Sequence, residues 1–408
     1  MKLKTLIPTL ILLTFISCEK DENSINPSVE ISPVEIEVSY NANIFGLKLF
    51  RELSKLSPDS NVIISPFSVS TALAMAWNGA SGETEKAMRD VLELGNFSEE
   101  EVNNAYKNLL DYFLNLDSET ILRFANSVWK HIPIPVLDSF IDICRKYFYA
   151  EFRELDFGAP GAVDSINNWI AEKTEDKITN ALDYIPRETV MYIINALYFK
   201  GSWKYQFDKS YTSPGYFYDI NDNRIPCKMM VQTNDFTVNR TEKFTAVKLP
   251  YSDEKFVMVI ILPENNTPIN QFVSNLTLDK WNEIIGNSEE LKATLKMPRM
   301  KIKYKNLLNK ALTNLGMGIA FTGMADFSKI FGDTGYWINR VIHNTFLEVN
   351  EEGTEAAAAT IVEFLKSGGG GENIPFIIID RPFVFAIYEE ETEAILFIGK
   401  VTAIPEET

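Results

Sequence analysis

Few residues of this 408-residue chain are of types that do covalent chemistry, and their spacing assembles no ordinary reaction centre. The two histidines, His131 and His343, lie far apart, and neither belongs to an HExxH pair. No serine stands in a GxSxG elbow, so an activated Ser–His nucleophile has no footing. The chain also lacks a CxxC pair, a DxDxDG loop, a P-loop and a strand-linked GxGxxG, so neither a metal nor a cofactor is expected. Of the three cysteines, Cys144 and Cys227 could form a disulfide. Isolated thiols in apolar surroundings are more often inert and buried. A hydrolase is therefore the weakest reading.

The most informative stretch is "EEGTEAAAATIVEFLKSGGGG", Glu351 to Gly371. Its alanines are strong helix formers, yet it ends in four glycines, the most permissive backbone available. Taken as a strand, it splits into two faces. One face carries Thr354, Ala356, Ala358, Thr360, Val362 and Phe364, with no charge. The other carries Glu355, Ala357, Ala359, Ile361, Glu363 and Leu365, and so holds both glutamates. This is a half-buried strand written in helix-prone residues, with Gly353 as a flexible hinge before it. A segment that slides between two strands needs small, uncharged side chains on its inner face, because burying an unpaired charge costs several kcal/mol.

The elements around this stretch indicate one large domain. With 46% hydrophobic and 23% charged residues the chain is globular, and its net charge of −17 argues against nucleic acid, heparin-like polymers and anionic lipid surfaces as partners. At the N-terminus, Lys2 and Lys4 precede an apolar run from Leu6 to Ile16, too short to span a bilayer and suited to a signal peptide over residues 1–17. Ser17-Cys18 resembles a bacterial lipobox, with Cys18 as the acylated residue, and "CEKDEN" resembles the export signal of surface lipoproteins. An outer-membrane, surface-exposed location is expected, with a periplasm-facing or secreted form as the alternative. Residues 18–39 read as a polar tether, with Pro27 and Pro33 discouraging regular structure.

From Tyr40 to Thr408 no second linker interrupts the chain. Helices are predicted early: "NIFGLKLFRELSKL", with Phe45, Leu49 and Leu53 on one face; "SPFSVSTALAMAWNGA", apolar almost all round and hence buried; "EEEVNNAYKNLLDYFLNL"; and "DSINNWIAEKTEDKI", capped by Asp164. "NKALTNLGM" adds one later. Strand texture then dominates, in "TVMYIINALYF", "TAVKLPY", "KFVMVIILPE", "LKATLKMPRMKIKY" and the C-terminal "RPFVFAIYEEETEAILFIGKV". Val190 to Phe199 reads as a strand buried on both faces. The class is α+β.

Across Tyr40 to Ile404 the chain resembles the serpins. The resemblance is carried, in order, by "NVIISPFSVSTALAM", "INALYFKGSW", "MPRMKI", "VIHNTFLEVNEEGTEAAAAT", "RPFVFAI" and "ILFIGKV". It implies three mixed or antiparallel sheets with eight to nine helices and an exposed reactive loop at about residues 351–380. It also implies that the protein is no enzyme but bait: a serine protease, sometimes a cysteine protease, attacks the loop and is trapped as an acyl-enzyme when the loop inserts into the main sheet. Residue by residue, Glu351, Gly353, Thr354, Glu355, Ala356, Ala357, Ala358, Ala359 and Thr360 match the hinge. Alignment of Gly353 puts the scissile bond at Ser367–Gly368, with Lys366, Leu365 and Phe364 as alternatives. Trp203 matches the tryptophan where the loop enters the sheet. Ser65, Ser68, Asn195 and His343 match a polar cluster beneath the sheet centre, and Arg299 and Glu351 match a charge pair at its top, worth about 1 kcal/mol or less if exposed. "TEDKI" departs from the family, where many relatives have a glycine before the lysine. The resemblance implies target proteases as partners; the lipobox implies membrane contact through Cys18, the net charge argues against a heparin-like activator, and a monomer is expected. A non-inhibitory binding module is the alternative function.

Overall fold

The computed structural model describes residues 30–116, 120–252, 254–354 and 374–405. The helices that matter below are α1 (Pro33–Leu56), α2 (Pro66–Asn78), α3 (Gly82–Val91), α4 (Glu99–Leu114), α5 (Asp138–Phe148), α6 (Ala162–Lys173), α7 (Ile269–Ser274) and α8 (Leu278–Gly286). Two further helices among the described residues, Asn309–Leu312 and Ser328–Phe331, have only four residues each. The strands in chain order are β1 (Val62–Ile64), β2 (Ile121–His131), β3 (Glu151–Leu155), β4 (Met191–Ser202), β5 (Ser213–Tyr218), β6 (Arg224–Arg240), β7 (Phe244–Pro250) and β8 (Phe256–Pro263). They continue as β9 (Glu289–Pro298), β10 (Met300–Leu307), β11 (Ile342–Val349), β12 (Gly353–Thr354), β13 (Phe376–Ile378), β14 (Phe383–Glu389) and β15 (Ile395–Val401).

The α+β class holds, and the strands segregate as the hydrophobic patterns require. β8, β14 and β15 are apolar at nearly every position and buried along their whole length. They lie side by side in a sheet ordered β1-β15-β14-β8-β7-β6-β9-β13, with β5 paired to β6. β6 is long enough to serve two layers. Its Thr237–Arg240 pair with β7 while Met229–Val238 pair with β9, so two of the three expected sheets share one hydrogen-bonded surface. The remaining sheet runs β10-β11-β12-β4-β2-β3. α2 packs beneath it, buried at every position except Ala72, as its all-round apolar sequence requires.

Three local expectations need correction. Residues 33–39 are not tether: α1 starts at Pro33, because proline is pre-organised for the first helical position. Ser32 caps the helix, its Oγ accepting from the Val34 N–H at 3.3 Å while its own N–H donates to the Glu35 carboxylate at 2.9 Å. Burial works to raise the Glu35 carboxyl, but hydrogen bonds from Ser32 and Asn108 outweigh it and hold it below the usual range. Asp164 is not the cap of α6. Gly161, at φ +85°, takes that position, and Asp164 lies in the first turn, where a carboxylate still favours the helix dipole. β4 is not buried on both faces either. Tyr192, Ala196, Tyr198 and Phe199 are buried, but Ile193 and Ile194 are only partly so, because they border a cavity.

The "TEDKI" departure gains a physical reading. Glu175 and Asp176 have φ of 50° and 59°, the left-handed region that glycine enters at least cost. Removing residues 1–39 should lower the unfolding free energy by about 3 kcal/mol through loss of the cap and of buried Val38, whereas removing residues 1–29 should leave it unchanged. Urea unfolding of the two truncations checks this.

Candidate functional site: a parted sheet and its hinge

β4 and β11 occupy the centre of the six-stranded sheet, yet among the described residues they do not pair with each other. Only β12 stands between them. Thr354 pairs with Val349 of β11 on one side and with Gly201 of β4 on the other, and Gly353 pairs with Ser202. Gly353 is confined to glycine by more than its φ of 154°. A Cβ there would lie 2.1 Å from the Gly201 carbonyl oxygen, well inside any allowed contact. The Thr354 side chain is buried and its Oγ1 lies 2.6 Å from the hydroxyl of Tyr251, which is itself fully buried. Burial pushes that phenol far above its usual range, although the Thr354 hydrogen bond works against the shift.

The residues expected at the top of the sheet converge here. The register pairs Met300 with Val349, which carries Arg299 and Glu351 onto adjacent strand ends. Arg299 Nε donates to both Glu351 carboxylate oxygens at 2.8 Å, its Nη2 lies 2.7 Å from Oε1, and the Thr212 hydroxyl donates to the same oxygen. Burial would raise the Glu351 carboxyl, but Arg299 and Thr212 hold it below the usual range. The condition under which this pair would be weak, exposure to solvent, does not hold for Glu351. The Glu351 side chain is 1% exposed, so losing Arg299 would strand a buried charge at a cost of about 3–5 kcal/mol. Trp203 stacks on Tyr251 with ring centroids 4.6 Å apart, and its indole N–H donates to the Asn350 carbonyl at 3.0 Å. Backbone bonds from Trp203 and Phe207 to the Glu352 and Glu351 carbonyls, at 2.8 and 2.9 Å, complete the clamp.

The polar cluster sits farther down. Ser65 is the N-cap of α2, its Oγ accepting from the Ser68 N–H at 3.3 Å. The Ser65 N–H donates to His343 Nε2 on β11 at 3.1 Å, and Ser68 Oγ donates to Asn195 Oδ1 on β4. Asn195 Nδ2 in turn donates to Asn126 Oδ1 on β2 at 2.6 Å. The first turn of α2 thus holds both parted strands. Below it opens the cavity, about 480 Å³, lined by Ser68, Ile193, Ile194, Asn195, His343 and Asn344 among others.

Tyr251, Thr212, Gly201 and Asn126 belong to this machinery but were missed in the sequence. Tyr251 closes "TAVKLPY", a strand pattern in which a terminal tyrosine carries no functional mark; Gly201 and Asn126 meet the site through strand register, and Thr212, just before β5, through its hydroxyl. The remaining hinge residues Glu355, Ala356, Ala357, Ala358, Ala359 and Thr360, the bond candidates Phe364, Leu365, Lys366, Ser367 and Gly368, and Cys18 lie outside the described residues. No disulfide joins Cys144 and Cys227, and burial pushes the Cys144 thiol up to about 12, which keeps it inert. Among the described residues no group of His, Cys, Asp and Glu stands ready to hold a metal, and no helix is long and apolar enough to cross a membrane.

Residues 40–404 match the family model described as Serpin (serine protease inhibitor). The chain belongs to the serpins. It is 34% identical over 369 residues to human Serpin B8, covering 88% of this chain and 97% of that one. Among solved structures it resembles the thermophilic serpin Tengpin in the native state, with TM-score 0.82 and 31% identity over 92% of this chain and 95% of that one. It also resembles a thyroxine-binding globulin complex with thyroxine, with TM-score 0.80 and 26% identity over 91% and 100% of the two chains. Family membership and the mixed-sheet fold are therefore established.

The buried histidine makes this serpin sensitive to acid. As an acceptor from Ser65 N–H, His343 Nε2 carries no proton, and burial pushes the ring down to about 4 from 6.5. The unfolded chain takes up this proton below about pH 6.5 while the folded state resists until about pH 4. Stability therefore falls as pH drops through that window, by up to about 3 kcal/mol from this residue. Glu351, held low in the folded state, adds a loss only below about pH 4.5. Denaturant unfolding at pH 7 and pH 5 should show the drop in the wild type, and His343→Gln should largely abolish it.

Proposed function

We propose that this serpin is a suicide-substrate inhibitor of serine proteases and not an enzyme. The observation that carries the reading is the seating of Gly353 and Thr354 between β4 and β11. The chain entering the gap is the chain that leads to the loop, and the register places Thr354 on the buried face. In the sequence, Ala356, Ala358 and Thr360 follow Thr354 at two-residue spacing, so a strand that continued this register would carry them on the same uncharged face. The strand slot and the sequence that would fill it are matched in side-chain size and charge.

The mechanism follows from these parts. A protease nucleophile attacks a loop carbonyl, at Ser367 or at one of its neighbours, and forms an acyl-enzyme. Cleavage frees the hinge side, which extends β12 down between β4 and β11. About a dozen residues then gain ladder bonds on both sides, each worth about 0.5–1.5 kcal/mol net, or on the order of 10 kcal/mol in all. That free energy drags the tethered protease across the molecule and distorts its catalytic groups, for which a misplacement of about 1 Å already costs a large rate factor. Deacylation stalls. Ser367 suits a protease with a small specificity pocket, Lys366 one with an acidic pocket, and Phe364 or Leu365 an apolar pocket. We also place the inhibitor on a bacterial outer membrane, held by acylated Cys18. Cys18→Ala should move the protein from the membrane to the soluble fraction on fractionation.

Incubation with trypsin-, elastase- and chymotrypsin-like proteases, followed by denaturing gels, tests the trap. A complex that survives denaturant is expected, and Thr354→Arg should convert the protein into a plain substrate, because its guanidinium would have to enter the buried slot beside Tyr251. Loop cleavage without complex by every protease would favour the second reading, a non-inhibitory binding module. The similarity to a thyroxine carrier gives that reading its support.

A further inference from the structure

The gap between β4 and β11 changes character along its length. Its inward-facing residues follow at every second position from the pairs that seat Thr354. On β4 they run from Gly201 through Phe199, Leu197, Asn195, Ile193 and Met191, and on β11 from Val349 through Leu347, Thr345 and His343. Val341 and Asn339 continue the second row beyond the strand's first residue. Phe199, Leu197, Leu347 and Thr345 stand clear of the cavity of about 480 Å³, whereas Asn195, Ile193, Met191, His343, Val341 and Asn339 line it. Val69 and Leu73 of α2 give it an apolar floor.

A strand that continued β12 in the register of Thr354 would set one loop residue at each of these rungs. Ala356 falls between Phe199 and Leu347, and Ala358 between Leu197 and Thr345. Thr360 falls between Asn195 and His343, Val362 between Ile193 and Val341, and Phe364 between Met191 and Asn339. Side-chain size thus follows the space available: bare methyl groups at the rungs without a cavity, then threonine, valine and phenylalanine over it. An apolar cavity of about 150 Å³ already takes up benzene, so this one has room for the isopropyl group and the phenyl ring together. The outer face matches in charge. Glu355 falls opposite Lys200 of β4, and Glu363 opposite Arg340, two residues before β11. Glu348, which flanks Glu355 on the other side, is already neutralised by Lys301 at 3.3 Å and Lys177 at 3.9 Å.

We propose that this cavity is the seat of the Val362 and Phe364 side chains in the cleaved molecule, with Phe364 as the residue that locks the inserted strand. The assignment rests on the trapping mechanism proposed above. Met191, opposite Phe364, is the first residue of β4, so the slot ends there. Phe364 then serves as packing inside the sheet and is not the residue a protease reads at the bond, which lies farther along the chain.

Limited proteolysis that nicks the loop beyond Phe364, with the cut located by mass spectrometry, supplies the form to test. The nicked wild type should unfold at higher guanidinium chloride than the intact chain. Phe364→Ala should lower the midpoint of the nicked form by about 0.5 M or more and leave that of the intact form unchanged. Ile193→Cys combined with Val362→Cys should yield a disulfide between these positions after nicking and not before. A nicked wild type no more stable than the intact chain would remove insertion itself, and this assignment with it. A stabilised nicked chain that is indifferent to Phe364→Ala, or that forms no disulfide between positions 193 and 362, would leave insertion standing and overturn the seat given to Phe364.

Discussion

The structure turns on a sheet whose two central strands are joined by two residues. The other ladders of this sheet are longer: β2 and β4 pair over ten positions, β10 and β11 over eight, β2 and β3 over five. Between β4 and β11 the described chain supplies only Gly353 and Thr354. An unpaired strand edge inside a protein is costly, because each buried N–H or C=O without a partner loses its hydration for nothing. The fold tolerates this at one place, where a segment of its own chain stands at the entrance.

The surrounding chemistry is arranged to hold that entrance. At the top, the bidentate Arg299–Glu351 pair and the Trp203–Tyr251 stack fix the residues leading into β12. In the middle, α2 offers its first turn to both strands, a backbone N–H to His343 and a hydroxyl to Asn195. Helix N-termini have spare donors by construction, so a helix pointed at the seam can bind two strands that do not bind each other. The apolar character of the rest of α2 follows from its position: it lies under the sheet and is covered on nearly every side.

Much of this was legible in the sequence, and the illegible part has physical causes. The charge segregation after Gly353 and the glycine itself are local features; the structure seats Gly353 and Thr354, and the residues that carry the segregation lie outside the described ones. Ser65, Ser68, Asn195 and His343 were found by resemblance, and the structure brings all four together. Their roles come from three separate elements meeting, which no local pattern reveals. The weight of Glu351 could not be fixed from sequence, because burial is not written in the residue type. The tether was drawn too long because Pro33 was taken as a breaker, although proline opens helices as readily as it interrupts them. Tyr251 escaped notice because its partner, Thr354, is 103 residues away.

The bonds from α2 to β4 and β11 also set a clock. On the proposed mechanism, a strand that enters between β4 and β11 would have to break the Ser65–His343 and Ser68–Asn195 contacts, which one turn of α2 makes to the two sides of the seam. If that loss comes first and the ladder gain later, an activation barrier would separate the closed form from a more fully paired one. Its persistence is then a matter of rate, and the useful lifetime of the molecule is fixed by how seldom that first turn of helix lets go.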